Sequence, residues 1–396
     1  MTQPDNYQTL IEGLTQFTTR AALYRSQFYA TQGNAIEAVI NRIWQQSPAN
    51  VVPRLCSFLR AVQWNIERGR QLDAIIDLFT THPLLKFADL ILLNEVDIGM
   101  NRTENRNIAF ELGTQLGMYV AFVAEYLELT KGIGMEALLP GENREALHGN
   151  ALLSRYPLKT VRALRLPSCF DAYQFHEKRY GDRVALIAEL DCLDSTLLVV
   201  STHLEVRRTP ACRATQFRAL LDNIAPTYTL NTQLPILIGG DLNTGTFKRG
   251  RRWHAVAGLL RLISNDANIV RQTLCHPEQT EPLFALAQSR GFRFKGLNDA
   301  LPTCTTLLSG LDETDYLPAQ LRKWILSRLA SYNNQLEFRL DYFCARDLQP
   351  LEDDQCIDHQ TGVTSRSAHT LRGLCWQGKP ISDHDPIVCD FVLPTT

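Results

Sequence analysis

Long apolar runs are missing from this sequence of 396 residues, and no stretch approaches the roughly 18 residues that indicate a membrane-spanning helix. Charge of one sign is also missing, because 40 basic and 42 acidic side chains leave a formal net charge of −2. Any affinity for a phosphate-bearing partner would therefore have to come from local patches. The first residues lack the basic start and apolar core of a secretory signal, so none is predicted. Repeats and low-complexity linkers are absent as well, which disfavours a repeat protein.

Cysteine pairs of the form Cys-x-x-Cys are absent, although the chain contains ten cysteines. Several cysteines lie within apolar strand-like runs, as Cys344 and Cys389 do, and such positions are typical of buried, reduced thiols. This cysteine usage predicts a cytoplasmic location.

Four potential zinc ligands occur in the late segment 352–378. Cys356 and His359 form a Cys-x-x-His step, and His369 and Cys375 follow at a looser spacing. Structural zinc can use such ligands. Because the second spacing is loose, we expect the loop simply to cover a site formed elsewhere.

The order of apolar patterns predicts an α/β chain with mixed sheets. Residues 1–55 form a predicted helical N-terminal extension, in which apolar side chains recur at helical spacing up to Ile43. Strand-like and helix-like runs alternate in the predicted catalytic domain, 56–396, and 245–335 are predicted to form a largely helical insertion in it. The run "DRVALIAELDCLDSTLLVVSTHLE" predicts an antiparallel hairpin, and "EFRLDYFCA" and "DPIVCDFVL" predict the closing strands.

Polar side chains that can bind metal or transfer protons follow the ends of several predicted strands. Each has an ordinary explanation by itself: an Asp-Leu-Asn turn can be a capped bend, a lone histidine can be structural, and a glutamate can reach solvent. Ligands of open α/β sheets bind at strand ends, so the set together predicts one site. Its members are Asn65, Glu67, Glu95, Asp97, His203, Asp241, Asn243, Asp341, Asp383 and His384.

Six short motifs carry these residues in the order "WNIERG", "LLNEVD", "STHLEV", "GGDLNT", "RLDYF" and "ISDHDP". In sequence and order they resemble the motifs of the endonuclease/exonuclease/phosphatase superfamily. These Mg-dependent phosphoesterases include deoxyribonucleases, abasic-site endonucleases, neutral sphingomyelinases and inositol-polyphosphate phosphatases. The resemblance implies a two-sheet α/β sandwich with mixed β-sheets and outer helices, and a site at one edge of the sandwich.

The resemblance also implies a metal site. Glu95 matches the main metal ligand, with Asn65 beside it and Asp383 as a further ligand. Carboxylate and amide oxygens are hard donors that suit Mg²⁺, with Mn²⁺ as the alternative ion.

Catalytic roles follow from the same resemblance. Asp241 would orient or deprotonate the attacking water, and Asn243 would donate its amide to a phosphate oxygen. His384 would be paired with Asp341 and so favour an imidazolium that stabilises the transition state. His203 would be the general acid at the leaving group.

Further polar residues are weaker candidates. Arg183 and Asn150 fall where related enzymes contact phosphate, and both also make sense as structural hydrogen-bonding groups at strand starts. Glu125 could orient His203, but we expect it to face solvent. Basic side chains after the His203 and Asp241 strands are expected to surround the mouth of the site, unless they are merely a solvated face. They are Arg207, Arg208, Lys248, Arg249, Arg251 and Arg252, the last two being the substrate-binding candidates.

The predicted activity is divalent-metal-dependent hydrolysis of a phosphate ester, in the first place a phosphodiester. Nucleic acid, a phosphorylated small molecule and a lipid headgroup remain open as substrates, and no obligate protein partner is predicted. The near-neutral charge disfavours an enzyme that tracks duplex DNA, and "HGNALLSR" departs from the asparagine-lysine-glycine pattern of inositol-polyphosphate phosphatases. The competing hypothesis is a non-catalytic phosphate-ligand-binding scaffold, although all six motifs keep their functional side chains.

Overall fold

The computed structural model describes residues 7–192, 195–229, 234–245, 265–307, 319–328, 332 and 335–394. Most of its strands lie in two large mixed sheets. The strands are β1 (Ile43–Gln46), β2 (Leu59–Arg68), β3 (Leu90–Ile98), β4 (Tyr119–Glu128), β5 (Leu147–Ser154), β6 (Leu158–Arg165), β7 (Arg179–Gly181), β8 (Val184–Cys192), β9 (Ser195–His203), β10 (Ile236–Asp241), β11 (Cys304–Leu307), β12 (Gln335–Phe338), β13 (Asp341–Arg346), β14 (Gln349–Pro350), β15 (His369–Thr370), β16 (Cys375–Trp376), β17 (Lys379–Pro380) and β18 (Ile387–Val392).

The helices flank these sheets. They are α1 (Tyr7–Thr15), α2 (Arg20–Tyr24), α3 (Gln27–Asn41), α4 (Leu72–Thr81), α5 (Ile108–Leu116), α6 (Pro210–Thr229), α7 (Ala267–Cys275), α8 (Pro282–Ser289) and α9 (Ala319–Arg328), together with short 3-10 turns at Leu85–Phe87, Asn101–Thr103, Glu136–Leu138, Ala172–Gln174 and Pro277–Gln279. No helix in the described ranges is long and apolar enough to cross a bilayer.

The larger sheet has the order β1-β4-β5-β3-β2-β18-β14, with β7 on β4 and β15 on β18. The smaller has the order β13-β10-β9-β8-β6. Parallel pairing is confined in these two sheets to β2 with β3 and to β9 with β10. The predicted α/β sandwich with mixed sheets is therefore confirmed, and β8 and β9 form the predicted antiparallel hairpin.

Three apolar clusters hold the layers together. Side chains such as Leu92 of the larger sheet and Val199 of the smaller one meet in a central cluster between the two sheets. The outer face of the larger sheet packs on α1, α3, α4 and α5, and that of the smaller sheet packs on α6 and α8. Because both faces of each sheet are covered, the central strands are continuous apolar runs.

The chain departs from the predicted pattern at two places. Residues 43–46, predicted to be helical, form the edge strand β1, where Ile43 pairs with Val123 and the Trp44 ring lies 6.4 Å from that of Phe110. The single strand predicted for "EFRLDYFCA" is broken into β12 and β13. The hydroxyl of Thr303 accepts the N–H group of Asp341 at 3.1 Å, which helps to separate the two strands.

The cysteines divide into two groups. Cys344 and Cys389 are buried and free, as predicted. Cys169 and Cys212 form a disulfide that joins the loop after β6 to the first turn of α6, with 6.3 Å between their Cα atoms. The prediction of reduced thiols is wrong for this pair.

The segment 352–378 packs against the start of β2. His359 Nδ1 lies 2.7 Å from Ser57 Oγ, and the thiol of Cys356 is directed to the carbonyl of Ser57. Within the ranges described, the clusters that could hold a metal lie elsewhere. These contacts place Cys356 and His359 at the amino end of β2, whereas the polar residues predicted to form the site follow its carboxyl end, so these contacts do not support a loop that covers the site.

Candidate active site

The two parallel strand pairs bring their carboxyl ends to the same edge of the sandwich. In the larger sheet Asn65 pairs with Asn94, directly before Glu95. In the smaller sheet Asp241 pairs with both His203 and Asp341, so these three residues form one row across β9, β10 and β13. The strand order therefore places a histidine and two carboxylates side by side.

Backbone irregularities turn two of the predicted residues out of the regular ladder. Glu95 and Asn243 have φ angles of +53° and +52°, which non-glycine residues seldom adopt. The pairing of β3 with β5 shifts register between Leu93 and Val96, around Glu95. Such bulges re-aim side chains beside active sites, and this one takes Glu95 into the cavity at the sheet edge.

Buried amides lie beneath the site and join the two sheets. Gln63 donates from Nε2 to Asn94 Oδ1 and to Asp341 Oδ1, each at 3.1 Å. Asn94 Oδ1 also accepts the N–H of Asp241 at 2.8 Å, and Asn94 donates to Asn150 Oδ1 at 2.8 Å. Sequence reasoning did not select Gln63 or Asn94. Their signal was a polar residue inside the apolar runs "AVQW" and "ILLN".

His384 and Asp341 form a buried dyad. His384 Nδ1 lies 2.7 Å from Asp341 Oδ2, and the same oxygen accepts the Thr303 hydroxyl at 2.7 Å. The Trp64 indole donates to the His384 carbonyl at 2.8 Å, and Ser382 Oγ accepts the His384 N–H at 3.1 Å. An ionised carboxylate only accepts, so Nδ1 carries the proton and Nε2 faces the cavity.

The two site histidines have opposite electrostatic environments. Burial alone would lower the pKa of His384, but acidic neighbours, Asp341 among them, raise it well above its ordinary value. The pKa of His203 is lowered well below its ordinary value, first by burial and then by the positive charge of Arg183. His384 therefore favours the imidazolium and His203 the neutral ring.

A buried triad holds His203. Arg183 Nη1 lies 2.7 Å from Glu125 Oε2 and 2.8 Å from His203 Nδ1. A guanidinium only donates, so Nδ1 of His203 accepts and its proton resides on Nε2, which lies 3.4 Å from Asp241 Oδ2. Glu125 was expected to face solvent and is instead fully buried, because the arginine compensates its charge.

Asp241 is the point where these groups meet. Its Oδ2 accepts from Asn65 Nδ2 at 3.1 Å and its Oδ1 from the N–H of Asn243 at 2.8 Å. His384 Nε2 lies 3.9 Å from Oδ2. Burial, and next the negative charge of Asp341, raise the pKa of Asp241 to about 7. This carboxyl can hold or release a proton near neutral pH.

An acidic group adjoins Asp241 on the side of the larger sheet. The pKa of Glu67 is raised, first by burial and then by the charges of Asp383 and Glu95. Arg70 Nη1 lies 2.8 Å from Glu67 Oε1 and partly offsets this crowding. Carboxylate oxygens are the hard donors that a divalent ion prefers. Asp241, Asp341 and His384 also place one ligand atom each within 4.8 Å of one another.

The site opens into a cavity of about 190 Å³. It is lined by charged and polar side chains on one side and by apolar ones from the β11–β13 region on the other. The lining residues are Glu95, Arg183, His203, Val206, Asp241, Asn243, Cys304, Thr306, Phe338, Leu340, Asp383 and His384.

The remaining predicted residues lie in different positions. Arg183 borders the cavity, whereas Asn150 is fully buried, with its amide donating to Glu125 and Val184 and its carbonyl accepting from Asn94. Arg251 and Arg252, like Lys248 and Arg249, fall outside the described residues.

The model of the Endonuclease/Exonuclease/phosphatase family matches residues 62–384, which include the first five motifs named above and the last one as far as His384. The chain belongs to this family. Endonuclease/exonuclease/phosphatase proteins are metal-dependent phosphoesterases, nucleases and phosphatases among them, and they generally use divalent ions. No curated protein matches the chain.

Several solved structures of this family are similar to the chain. The human Nocturnin catalytic domain with bound sulfate anion is 18% identical, with a TM-score of 0.47 over 89% of this chain and 98% of that one. A Bacteroides vulgatus family member is 12% identical, with a TM-score of 0.46 over 85% and 100% of the two chains. D. rerio TDP2 complexed with single strand DNA product is 12% identical, with a TM-score of 0.41 over 85% and 99%.

Proposed function

We propose that this family member hydrolyses a phosphodiester in a reaction that depends on Mg²⁺, with Mn²⁺ as a substitute. The observation that carries the proposal is the position of the Asp241 carboxylate. It lies 3.4 Å from Nε2 of a neutral histidine, His203, and 3.9 Å from Nε2 of a histidine that favours its charged form, His384. A basic group and two different imidazole donors around one cavity suit the attack of water on a phosphate.

Glu95, Asn65 and Asp383 would hold the metal ion. The crowding of Glu95 and Asp383 near Glu67 supports this assignment, since a cation would offset their mutual repulsion. When bound there, Mg²⁺ would neutralise charge on the phosphate oxygens and fix the substrate's orientation.

Asp241 would accept the proton of the attacking water. Its raised pKa matches such a role near neutral pH, and the Asn65 amide and the Asn243 N–H hold its two oxygens in place. The Asn243 amide donates one hydrogen to the Leu204 carbonyl at 2.9 Å. In the reaction the Asn243 amide would donate to a phosphate oxygen.

The two histidines would donate hydrogen bonds to the phosphate from opposite protonation states. His384, held by Asp341, would present a charged Nε2–H to the oxygens on which negative charge develops. His203 was expected to be the general acid. Its lowered pKa and its bond from Arg183 instead support a neutral Nε2–H donor.

The test is turnover of bis-p-nitrophenyl phosphate with Mg²⁺ or Mn²⁺, before and after addition of a chelator. Asp241→Asn should lower kcat by about 10²- to 10⁴-fold, the usual contribution of a general base, while Asp77→Asn on α4 serves as an acidic control away from the site. Near-wild-type turnover by Asp241→Asn would overturn the assignment. The scaffold alternative would be favoured if the wild type showed no chelator-sensitive turnover of bis-p-nitrophenyl phosphate or of other phosphoesters.

A further inference from the structure

A second cavity, of about 140 Å³, adjoins the proposed catalytic cavity. Glu95, Arg183 and Val206 line both cavities. One ligand could therefore have its phosphate beside Asp241 and another part of its structure in the second cavity. What this cavity can bind thus bears directly on substrate identity.

One wall of the second cavity is a stack of flat side chains. The Arg207 guanidinium lies 4.0 Å from the centre of the Phe175 ring and 6.0 Å from that of Phe170. The two rings lie 5.5 Å apart in an edge-to-face arrangement. Both are half-buried, so they line a recess rather than project into solvent.

This wall is fixed from two directions. The Cys169–Cys212 disulfide joins the residue before Phe170 to α6. On the other side of Phe170, Asp171 Oδ1 accepts the N–H of Tyr173 at 3.2 Å and lies 3.1 Å from Arg20 Nε of α2. A wall held in this way loses little freedom when a ligand binds, which favours affinity.

His148, Glu177 and Arg179 also line the cavity, and Asp97 and Arg102 behind them join these three in a network of buried charges. His148 Nδ1 lies 2.8 Å from Asp97 Oδ1, and Arg102 donates to both Asp97 oxygens, at 2.7 and 3.0 Å. Glu177 connects two arginines: its Oε1 lies 3.0 Å from Arg102 Nη1, and its Oε2 lies 2.7 Å from Arg179 Nη2. These groups satisfy one another and so present a polar, nearly neutral surface.

Arg183 connects the two cavities and has spare hydrogen-bonding capacity. Its side chain is only 8% exposed, and its Nε has no hydrogen-bond partner within the described residues. The nearest carboxylate oxygen, Glu205 Oε2, is 3.8 Å away. A buried donor without a partner is unfavourable, so a ligand that spans both cavities would relieve it.

We propose that the second cavity binds the base of a nucleotide-type phosphodiester whose phosphate lies in the catalytic cavity; this inference rests on the proposed function. Aromatic rings and arginine planes stack bases with little sequence preference, and here they stand beside the site that takes the phosphate. Nucleic acid or a dinucleotide is therefore favoured over a lipid. An enzyme that acts on a lipid headgroup would need exposed apolar side chains to contact the membrane, and the apolar side chains here are recessed.

The test compares two substrates that differ only in their bases: the dinucleotide thymidylyl-thymidine and its analogue with tetrahydrofuran abasic residues. For the wild type, kcat/KM should be on the order of ten-fold higher for the dinucleotide than for the abasic analogue, because the dinucleotide should have the lower KM. Phe175→Leu and Arg207→Gln should bring that ratio toward one. Phe87→Leu is the matched control, a half-buried ring outside the site with Lys86 Nζ 5.1 Å from its centre, and it should keep the ratio.

A ratio near one in the wild type, or a ratio that both variants retain, would overturn the inference while leaving the proposed function intact. So would hydrolysis of sphingomyelin vesicles without hydrolysis of the dinucleotide. Binding gives a readout that needs no turnover: in the Asp241→Asn protein, a dinucleotide carrying 2-aminopurine should lose fluorescence on stacking. Adding Phe175→Leu should abolish this quenching, and absence of quenching in Asp241→Asn itself would overturn base binding whether or not any ester is hydrolysed.

Discussion

Arg183 donates a hydrogen bond to His203, with 2.8 Å between Nη1 of the arginine and Nδ1 of the imidazole. The same guanidinium nitrogen lies 2.7 Å from Glu125 Oε2. The arginine thereby compensates a buried carboxylate and fixes the tautomer of a site histidine at once. Without the arginine, the Glu125 carboxylate would be a buried charge without its partner, which is costly.

Substitutions of Arg183 and Glu125 should affect stability and activity differently. Arg183→Met leaves Glu125 buried without its charge partner, which should lower the free energy of unfolding by about 3 to 5 kcal/mol. The double variant Arg183→Met/Glu125→Gln removes both charges and should recover much of that loss. Neither variant should recover turnover of bis-p-nitrophenyl phosphate, because Nδ1 of His203 has lost its donor in both.

Urea unfolding and steady-state kinetics on the same preparations check this prediction. Arg162→Met, on the outer part of β6, controls for the loss of an arginine of the same sheet. A double variant as unstable as the single one would contradict the charge-pair explanation, and a fully active double variant would contradict the role given to the tautomer.

Much of the fold could be predicted because its strands are apolar runs closed by turns. The hairpin of β8 and β9 and the strands β2, β3 and β10 each consist of such a run. Periodicity could not show where a strand breaks, however. Between β12 and β13 the N–H groups of Leu340 and Asp341 donate to the hydroxyl of Thr303, a residue distant in sequence.

The site could be predicted as a set of strand-end residues but not as a geometry. His203 and Asp241 both end their strands, and parallel pairing places them side by side. Glu125, by contrast, lies within a strand. Its burial depends on Arg183, and pairing of charges across a fold leaves no local pattern in the sequence.

The contact between β9 and β10 has no space for a side chain at Gly240. A Cβ atom there would lie 1.7 Å from the Thr202 carbonyl oxygen of the neighbouring backbone. Gly240→Ala should therefore force apart the two strands that carry His203 and Asp241, with large losses of stability and of kcat. Thermal unfolding and turnover measure both losses.

Gly33→Ala in α3 is the control for that substitution. The atoms nearest to a Cβ atom there belong to the Tyr29 ring, the first at 3.2 Å, and alanine is the better helix former. It should leave activity unchanged. A Gly240→Ala protein as stable and active as the Gly33→Ala protein would contradict the close strand contact.

A buried ion pair joins the last strand to the centre of the larger sheet. Arg60 Nε and Nη2 each lie 2.7 Å from a different oxygen of Asp390, and both side chains are fully buried. Arg60→Met should lower the free energy of unfolding by about 3 to 5 kcal/mol, because the carboxylate is left unpaired. Arg60→Met/Asp390→Asn should lower it less, and equal losses measured in urea would show that the pair does not act as a unit.

Stability should also depend on the protonation of Asp89, which is fully buried before β3. Burial raises the pKa of this carboxyl to about 7, although the N–H groups of Arg60 and Arg54 partly oppose the shift. Because the folded state holds the proton more tightly than the unfolded chain, the contribution of Asp89 to stability is present at low pH. It is lost as the pH rises from about 4 to about 7.

Asp89→Asn should remove this pH dependence. The amide gives up one hydrogen bond at every pH, so the expected result concerns the slope: the variant should gain stability relative to the wild type as the pH rises from 5 to 8. Each unit of pKa shift corresponds to about 1.4 kcal/mol, so the gain should amount to a few kcal/mol. Urea midpoints at several pH values, with Asp77→Asn on α4 as the acidic control, measure it. A difference between variant and wild type that stays constant over this range would mean that Asp89 is ionised in the folded protein throughout.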